Sequence, residues 1–209
     1  MNQKLFIVLE GIDSSGKSTQ AELLKTYFIN RGEKSIISSE PSNGIIGNLI
    51  RQALKQRILF TSDRHLFDEQ MAYLFAADRH DHLYNDIDGV YKLIADNFNV
   101  ISTRYYFSSL AYNCDTAEQF KLVSKLNSKF PNPDLTIYLD IPIEISLSRL
   151  KERSVTEIYE TKTKLTKVKQ QYQEIFENYH GRAIAIDGTQ NQQTIHQQII
   201  DFIKTQYSS

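Results

Sequence analysis

The chain has 209 residues, 41% of them apolar and 23% charged, with a formal net charge of −1. That is the composition of one globular domain with a sizeable core, and the near-neutral balance argues against a coat for duplex nucleic acid, which needs a strongly basic face. A single cysteine, Cys114, excludes an intramolecular disulfide and fits a reducing cytoplasm. No apolar run reaches the length of a membrane span or signal core.

Residues 5–9 (LFIVL) are predicted as a buried strand. Directly after it comes G-I-D-S-S-G-K-S, with Thr19 next. This is G-x-x-x-x-G-K-[ST] in full, and a helix is predicted to follow over residues 20–28, with Ala21, Leu24 and Phe28 on one side. The residue types follow from the task. Backbone N–H groups converge on a phosphate only if the chain bends sharply, which Gly11 and Gly16 allow. The helix behind the loop adds its positive end. Lys17 would reach the β- and γ-phosphates and the Ser18 hydroxyl would be a ligand for Mg²⁺. The loop therefore implies binding of a nucleoside triphosphate with magnesium. No N-K-x-D string occurs, which lowers the case for a guanine-reading switch.

A second strand is predicted at residues 35–38 (SIIS), then Glu40-Pro41. Ile46, Leu49, Ile50, Ala53 and Leu54 have the spacing of one helix face, and Phe67, Met71 and Leu74 mark another. That second helix carries L-F-A-A-D-R. Taken alone, Arg79 reads as a surface ion pair with Asp78, Asp81 or Asp86. A third strand (residues 100–102, VIS) stops abruptly before Arg104. In an open α/β sheet, ligands lie beyond the carboxyl ends of the strands. A forked cation at that edge, near the phosphate loop, suits a second anion site holding an acceptor phosphate in line.

Residues 135–139 (LTIYL) give a fourth strand. The segment 151–169 is rich in Lys, Glu and Thr, as a solvated helix face or a hinged flap would be. Leu165, Val168, Tyr172, Ile175 and Tyr179 mark a helix, residues 183–186 (AIAI) a fifth strand, and Ile195, Ile199, Phe202 and Ile203 a closing helix. Strands alternating with helices imply an α/β fold: a five-stranded parallel sheet with helices on both faces.

The segments F-I-V-L-E-G-I-D-S-S-G-K-S-T-Q, E-P, Y-L-F-A-A-D-R, R-Y-Y-F-S-S-L-A-Y and P-D-L-T-I-Y-L-D-I-P, in that order, resemble the thymidylate kinase family. The resemblance runs from Phe6 to about Gln190. It implies a three-layer P-loop kinase fold with a short lid at about residues 149–162, in one domain spanning 1–209. It also implies transfer of the γ-phosphoryl group of Mg-ATP to dTMP, and commonly a homodimer. In the family's terms Gly11, Ile12, Asp13, Ser14, Ser15, Gly16, Lys17, Ser18 and Thr19 would cradle ATP, with Arg149 and the turn of Asp187, Gly188, Thr189 and Gln190 on the adenine side. Phe75 would stack on thymine and Arg79 would reach its carbonyl edge. Ser108 and Ser109 would lie near the ring nitrogen edge. Tyr112 would crowd the 2′ position, and Asp13 would take the 3′-hydroxyl. Arg104, beside the Glu40-Pro41 loop, would clamp the acceptor phosphate. The phosphate loop carries no arginine, so the lid would supply the extra cation from Arg149, Lys151 or Arg153.

Three departures from the family pattern stand out. Thr103 replaces the aspartate usual before Arg104, so that either magnesium is held less tightly or Asp13 or Glu10 makes up the charge. Ser39, Ser42 and Asn43 stand where an arginine is usual, which removes a cation from the acceptor side. Thr156 stands in the lid where another arginine is common. Two other readings follow from these residues: a kinase for another monophosphate or a deoxynucleoside, and a catalytically weak nucleotide-binding regulator.

Overall fold

The structure, a computed structural model, describes residues 3–151 and 157–207. In chain order the elements are β1 (Phe6–Glu10), α1 (Lys17–Asn30), β2 (Lys34–Ile37), α2 (Ile45–Leu54), α3 (Arg64–Tyr84), α4 (Val90–Ala95) and β3 (Phe98–Thr103). Then follow α5 (Tyr106–Tyr112), α6 (Ala117–Asn127), β4 (Leu135–Asp140), α7 (Ile143–Lys151), α8 (Lys162–Glu177), β5 (Ala183–Asp187) and α9 (Gln192–Tyr207). The strands form one sheet in the order β2-β3-β1-β4-β5. Every pairing is parallel, with Ile7 opposite Ile101 on one side and Leu135 on the other. The predicted sheet is thus found.

β1 shows why the sheet is covered on both faces. All five of its residues are buried, and successive side chains point to opposite faces. Ile7 and Leu9 pack with Ala21, Leu24 and Phe28 of α1 and with Ile195, Ile199 and Ile203 of α9. Phe6 and Val8 pack on the other side with Ile50 of α2, Met71 of α3, Phe107 of α5 and Val168 and Tyr172 of α8. A strand buried on both faces reads as a continuous apolar run, as LFIVL does. Fully burying such side chains is worth roughly 1.5–3 kcal/mol each.

The helices missing from the sequence reading are α4, α5, α6 and α7, of 6 to 11 residues. α5 has seven residues, two turns, too few to show a period. α6 begins at a capping box, with Thr116 and Gln119 each taking the other's backbone N–H. The letters T-A-E-Q carry that signature. α1 begins at Lys17, earlier than the apolar pattern indicated, because the loop runs straight into it. Of the anticipated lid, residues 149–151 close α7 and Thr161 caps α8 by accepting from Lys164 N. Arg153 and Thr156 lie outside the described residues.

The loop between β2 and α2 forms one wall of the site. Gly47 sits against it: a Cβ there would meet Ser42 O at 2.0 Å and Ser42 N at 2.6 Å. These are backbone atoms, so relief requires moving the loop. Gly47→Ala is expected to lower stability by ~1–3 kcal/mol, the usual penalty of overpacking, read as a lower midpoint in urea. An unchanged midpoint would show that the loop yields freely.

Candidate active site

β1 and β3 end side by side, and the chain turns sharply after each. After β1, Gly11 has φ 141, Ser14 φ 58 and Gly16 φ 101. At Gly11 a Cβ would meet Leu139 O at 2.5 Å, so only glycine fits there. After β3, Arg104 itself has φ 77, a left-handed conformation uncommon for a residue with a side chain. Its N–H donates to Leu9 O at 2.9 Å. The strand stops at Arg104 because the backbone reverses there, and the reversal keeps the guanidinium beside the phosphate loop.

Two clefts meet at this point. The first, about 1150 Å³ including its open mouth, is lined by residues 13–20 and by Thr103, Arg104, Arg149, Gly188 and Gln190. The second, about 870 Å³ with its mouth, is lined by Pro41, Arg51, Phe75, Arg79, Tyr105, Ser108, Ser109, Tyr112, Asn113 and Tyr159, among others. Asp13, Glu40 and Arg104 line both. The donor-side and acceptor-side residues expected from the sequence are thus divided between two adjoining spaces. The exceptions are Gly11, Ile12, Asp187 and Thr189, which line neither space; the Ile12 side chain is buried in the core.

Asp13 and Arg104 form the partition. Arg104 Nη2 pairs with Asp13 Oδ1, and the Tyr112 hydroxyl donates to Asp13 Oδ2 at 2.9 Å. Burial alone would push the Asp13 carboxyl up. The charges of Arg104 and Lys17 and the Tyr112 bond outweigh it and hold the group below the usual carboxylate range. The pair is therefore kept at neutral pH and given up only in acid. Burial works against the Arg104 charge too, but Tyr112, Asp13, Tyr172 and Glu10 raise its affinity for a proton.

Glu10 corrects one expectation. It does not line the donor cleft. It is fully buried and accepts from Tyr105 N at 2.7 Å, Ser108 Oγ at 2.7 Å and Tyr172 Oη at 2.7 Å. Arg104 Nη1 in turn donates to Ser108 Oγ at 3.0 Å and Tyr172 Oη at 3.3 Å. Glu10 is thus one step behind the guanidinium and fixes its orientation. Burial pushes its carboxyl up, with Arg104 and the hydrogen bonds opposing. Ser108 lines the acceptor cleft as expected, yet its hydroxyl is committed to this network.

Arg79 is not the surface pair that the sequence alone suggested. Its side chain is 1% exposed. Its Nε and Nη2 donate to Glu40 Oε2 at 2.9 and 2.7 Å, Nη2 also to Ser109 Oγ at 3.2 Å, and Nη1 to Asn127 Oδ1. His82 Nδ1 lies 3.2 Å from Glu40 Oε1, and its Nε2 lies 2.8 Å from Ser38 Oγ. The aspartates fall elsewhere: Asp78 accepts from Ser42 N and Oγ at 2.7 and 2.6 Å.

The expected loss of a cation on the acceptor side is also corrected. Arg51 of α2 lines that cleft, donating to Pro41 O at 2.7 Å and Ser42 O at 2.5 Å. The sequence reading passed over it because an arginine next to the buried Ile50 looks like an ordinary solvent-side charge. Ser39 and Thr103, two of the departures, touch each other: Thr103 Oγ1 donates to Ser39 Oγ at 2.8 Å.

On the donor side, Lys17 Nζ donates to Gly11 O at 2.9 Å and Ile12 O at 2.8 Å. Ser18 and Thr19 are exposed at the start of α1. Arg149 Nη1 donates to Ser14 O at 2.9 Å, which sets it over the loop, and Gly188 N donates to Asp140 O at 2.8 Å. Among the described residues no three His, Cys, Asp or Glu side chains gather as a metal site. Cys114 is buried, and its thiol is pushed up to about 12, as expected of a structural residue.

A glycine-bent phosphate loop at the edge of a parallel sheet, with a second cation-lined cleft abutting it, defines a P-loop phosphotransferase with separate donor and acceptor spaces. Residues 9–199 match the family model described as thymidylate kinase. A relative from Thermococcus kodakarensis with the name "Probable thymidylate kinase" is 36% identical over 96% of this chain and 98% of its own. One from Methanococcus aeolicus with the same name is 37% identical over 93% of each chain. A solved thymidylate kinase from Candida albicans superposes with a TM-score of 0.73 at 26% identity, covering 98% of this chain and 93% of that one. The chain belongs to the thymidylate kinase family, phosphotransferases that act on nucleoside monophosphates.

Removing the Glu10 carboxylate leaves one N–H and two hydroxyls without their buried acceptor. Glu10→Ala is expected to cost at least ~2 kcal/mol of stability, measured by urea unfolding. A loss under ~0.5 kcal/mol would contradict the network as drawn.

Proposed function

We propose that this chain transfers the γ-phosphoryl group of ATP to dTMP, giving dTDP and ADP. The observation that carries the reading is the junction: Asp13, Glu40 and Arg104 line both clefts, so phosphates held on either side meet there. An acceptor phosphate oxygen attacks the γ-phosphorus, and the bond to the β,γ-bridging oxygen breaks. With the reacting groups in line, the protein's part is positioning and charge stabilisation.

Each side has suitable chemistry. Phe75 is half-buried on the acceptor wall and offers an aromatic face to a base. Four bonds to Glu40, Ser109 and Asn127 fix the Arg79 fork and leave one N–H of five for a base carbonyl. Tyr112, bonded to Asp13, would crowd a ribose 2′-hydroxyl and so favour deoxyribose. Arg104 exchanges Asp13 for the acceptor phosphate, which frees Asp13 for the sugar 3′-hydroxyl.

The donor set fits Mg²⁺ held mainly by the nucleotide. Ser18 supplies one hydroxyl, and the carboxylates lining that cleft, Asp13 and Glu40, are tied to arginines. When bound, the ion would screen the phosphate oxygens. Lys17 would reach the transferring phosphoryl group and Arg149 would add charge beside it; Arg153, the other candidate cation, lies outside the described residues. The whole chain is one domain with its lid at about residues 149–162, acting in the cytoplasm in dTTP synthesis. No described helix is long and apolar enough to cross a membrane. A second copy would cover Ile45, Leu66 and Tyr73, large apolar side chains that α2 and α3 leave exposed.

The test is ADP release across dTMP, dUMP, dCMP, UMP and thymidine. dTMP is expected to give the highest kcat/KM, and turnover of thymidine with none of dTMP would replace this reading by a nucleoside kinase. Arg104→Ala is expected to lower kcat/KM for dTMP by at least ~10²-fold, the size of losing a preorganised charged contact. A near-normal value would put Arg104 outside the reaction.

A further inference from the structure

The arginines of the acceptor wall are each tied to a partner, and so are Asp13 and Glu40. Glu157, in the turn before α8, stands apart from that pattern. It is half-buried and lines the acceptor cleft. Its own N–H donates to Glu160 Oε2 at 2.7 Å, and the N–H of Ile158 donates to Leu54 O, at the end of α2, at 3.0 Å. The backbone is thus held at the carboxylate and just after it. The carboxylate itself makes no hydrogen bond or ion pair among the described residues.

The charges acting on Glu157 come from several elements. Asp13 of the phosphate loop and Glu160 of its own turn repel a negative charge there. Arg104 after β3 and Lys55 just beyond α2 attract one. Burial and the two acids prevail, so the carboxyl is pushed up from its usual range. Of the other groups lining the cleft, Glu40 is paired with Arg79 and Arg51 is bonded to backbone carbonyls. Tyr112 and Tyr159 have hydroxyls that burial pushes far above neutral. A phosphate entering this cleft shifts the balance in one direction. The dianion engages the Arg104 charge, brings negative charge of its own and displaces water. Each of the three disfavours a second, unpaired anion beside it.

We propose that Glu157 is the proton-binding residue of the acceptor site: its carboxylate takes up a proton from solvent as a nucleoside monophosphate binds, so that the phosphate dianion meets a neutral carboxyl. The proton forms the O–H of the carboxyl, and no other bond changes. The inference rests on this cleft being the acceptor site. The competing role is an ionised Glu157 that accepts a hydrogen bond from the ligand. That contact would hold the proton off, so the two roles differ in sign. With uptake, affinity is full where the free chain already carries the proton. It falls as the pH rises through the range in which the bound carboxyl ionises, by at most ~10-fold per pH unit for one proton.

The experiment is calorimetric titration of the full chain with dTMP in two buffers of different ionisation heat, repeated on Glu157→Gln. The variant's amide has the shape of the neutral carboxyl and no charge. The dTMP phosphate itself titrates near pH ~6, so the range runs from about pH 6 to about pH 8 and the difference between the two chains, which share that contribution, is what is read. The unaltered chain is expected to take up more protons than the variant and to lose affinity more steeply as the pH rises, by up to ~10-fold per unit. At the alkaline end the variant is expected to bind dTMP at least as tightly as the unaltered chain. Equal uptake by the two chains assigns the proton elsewhere and overturns the proposal. A variant that binds dTMP more weakly throughout also overturns it, as the mark of an ionised carboxylate touching the ligand. Should Glu157→Gln not fold, Glu157→Ala removes the same proton site, and its uptake is read in the same way. Absence of dTMP binding by the unaltered chain ends the acceptor reading and this inference with it. Binding without the extra uptake ends the inference alone.

Discussion

Arg104 is a largely buried cation with acidic groups on two sides, Asp13 in the phosphate loop and Glu10 at the end of β1. Glu10 acts through Ser108 and Tyr172 and is itself out of reach of solvent. This arrangement ties four parts of the chain together: the β1 terminus, the loop after it, α5 and α8. Buried ion pairs contribute little net stability, since desolvation offsets most of the attraction. What they fix is geometry, and here the guanidinium is held at the wall that the two clefts share. A phosphate arriving at that wall, as proposed, would replace one counter-charge without having to order the side chain first.

The same logic extends along the acceptor wall. Glu40 takes two bonds from Arg79 and faces His82, while Arg51 and Asp78 hold the backbone of the loop that carries it. Every cation of that wall is anchored before a ligand arrives. Arg51 is tied to backbone carbonyls, Arg79 to Glu40 and Arg104 to Asp13. Glu157 also lines this cleft, and its carboxyl is pushed up by burial and by the nearby Asp13 and Glu160 charges.

Much of this was legible in the letters, for identifiable reasons. Buried parallel strands are short apolar runs, so all five could be found. The phosphate loop has fixed spacing because its glycines answer to the backbone: a Cβ at Gly11 would meet Leu139 O, and Gly16 turns at φ 101, where a side chain is strained. Partners across the chain were another matter. Nothing in A-A-D-R says that Arg79 faces Glu40, 39 residues away, and not its neighbouring aspartates. Glu10 looked like a spare acid because its three donors come from residues 105, 108 and 172. Arg51 was hidden by its own helix, whose pattern marks an arginine beside a buried isoleucine as solvent-facing. Periodicity reports which face is apolar; it does not report which polar face closes a cleft.

The contact between Ser39 and Thr103 gives two of the family departures a single meaning. The usual arginine and the usual aspartate are absent from positions whose replacements share one hydrogen bond. Two neutral hydroxyls therefore meet between the loop after β2 and the end of β3, and no charge stands at that contact. A charged side chain placed at either position by itself would set an ion against a neutral hydroxyl, so the two sites are coupled through one hydrogen bond.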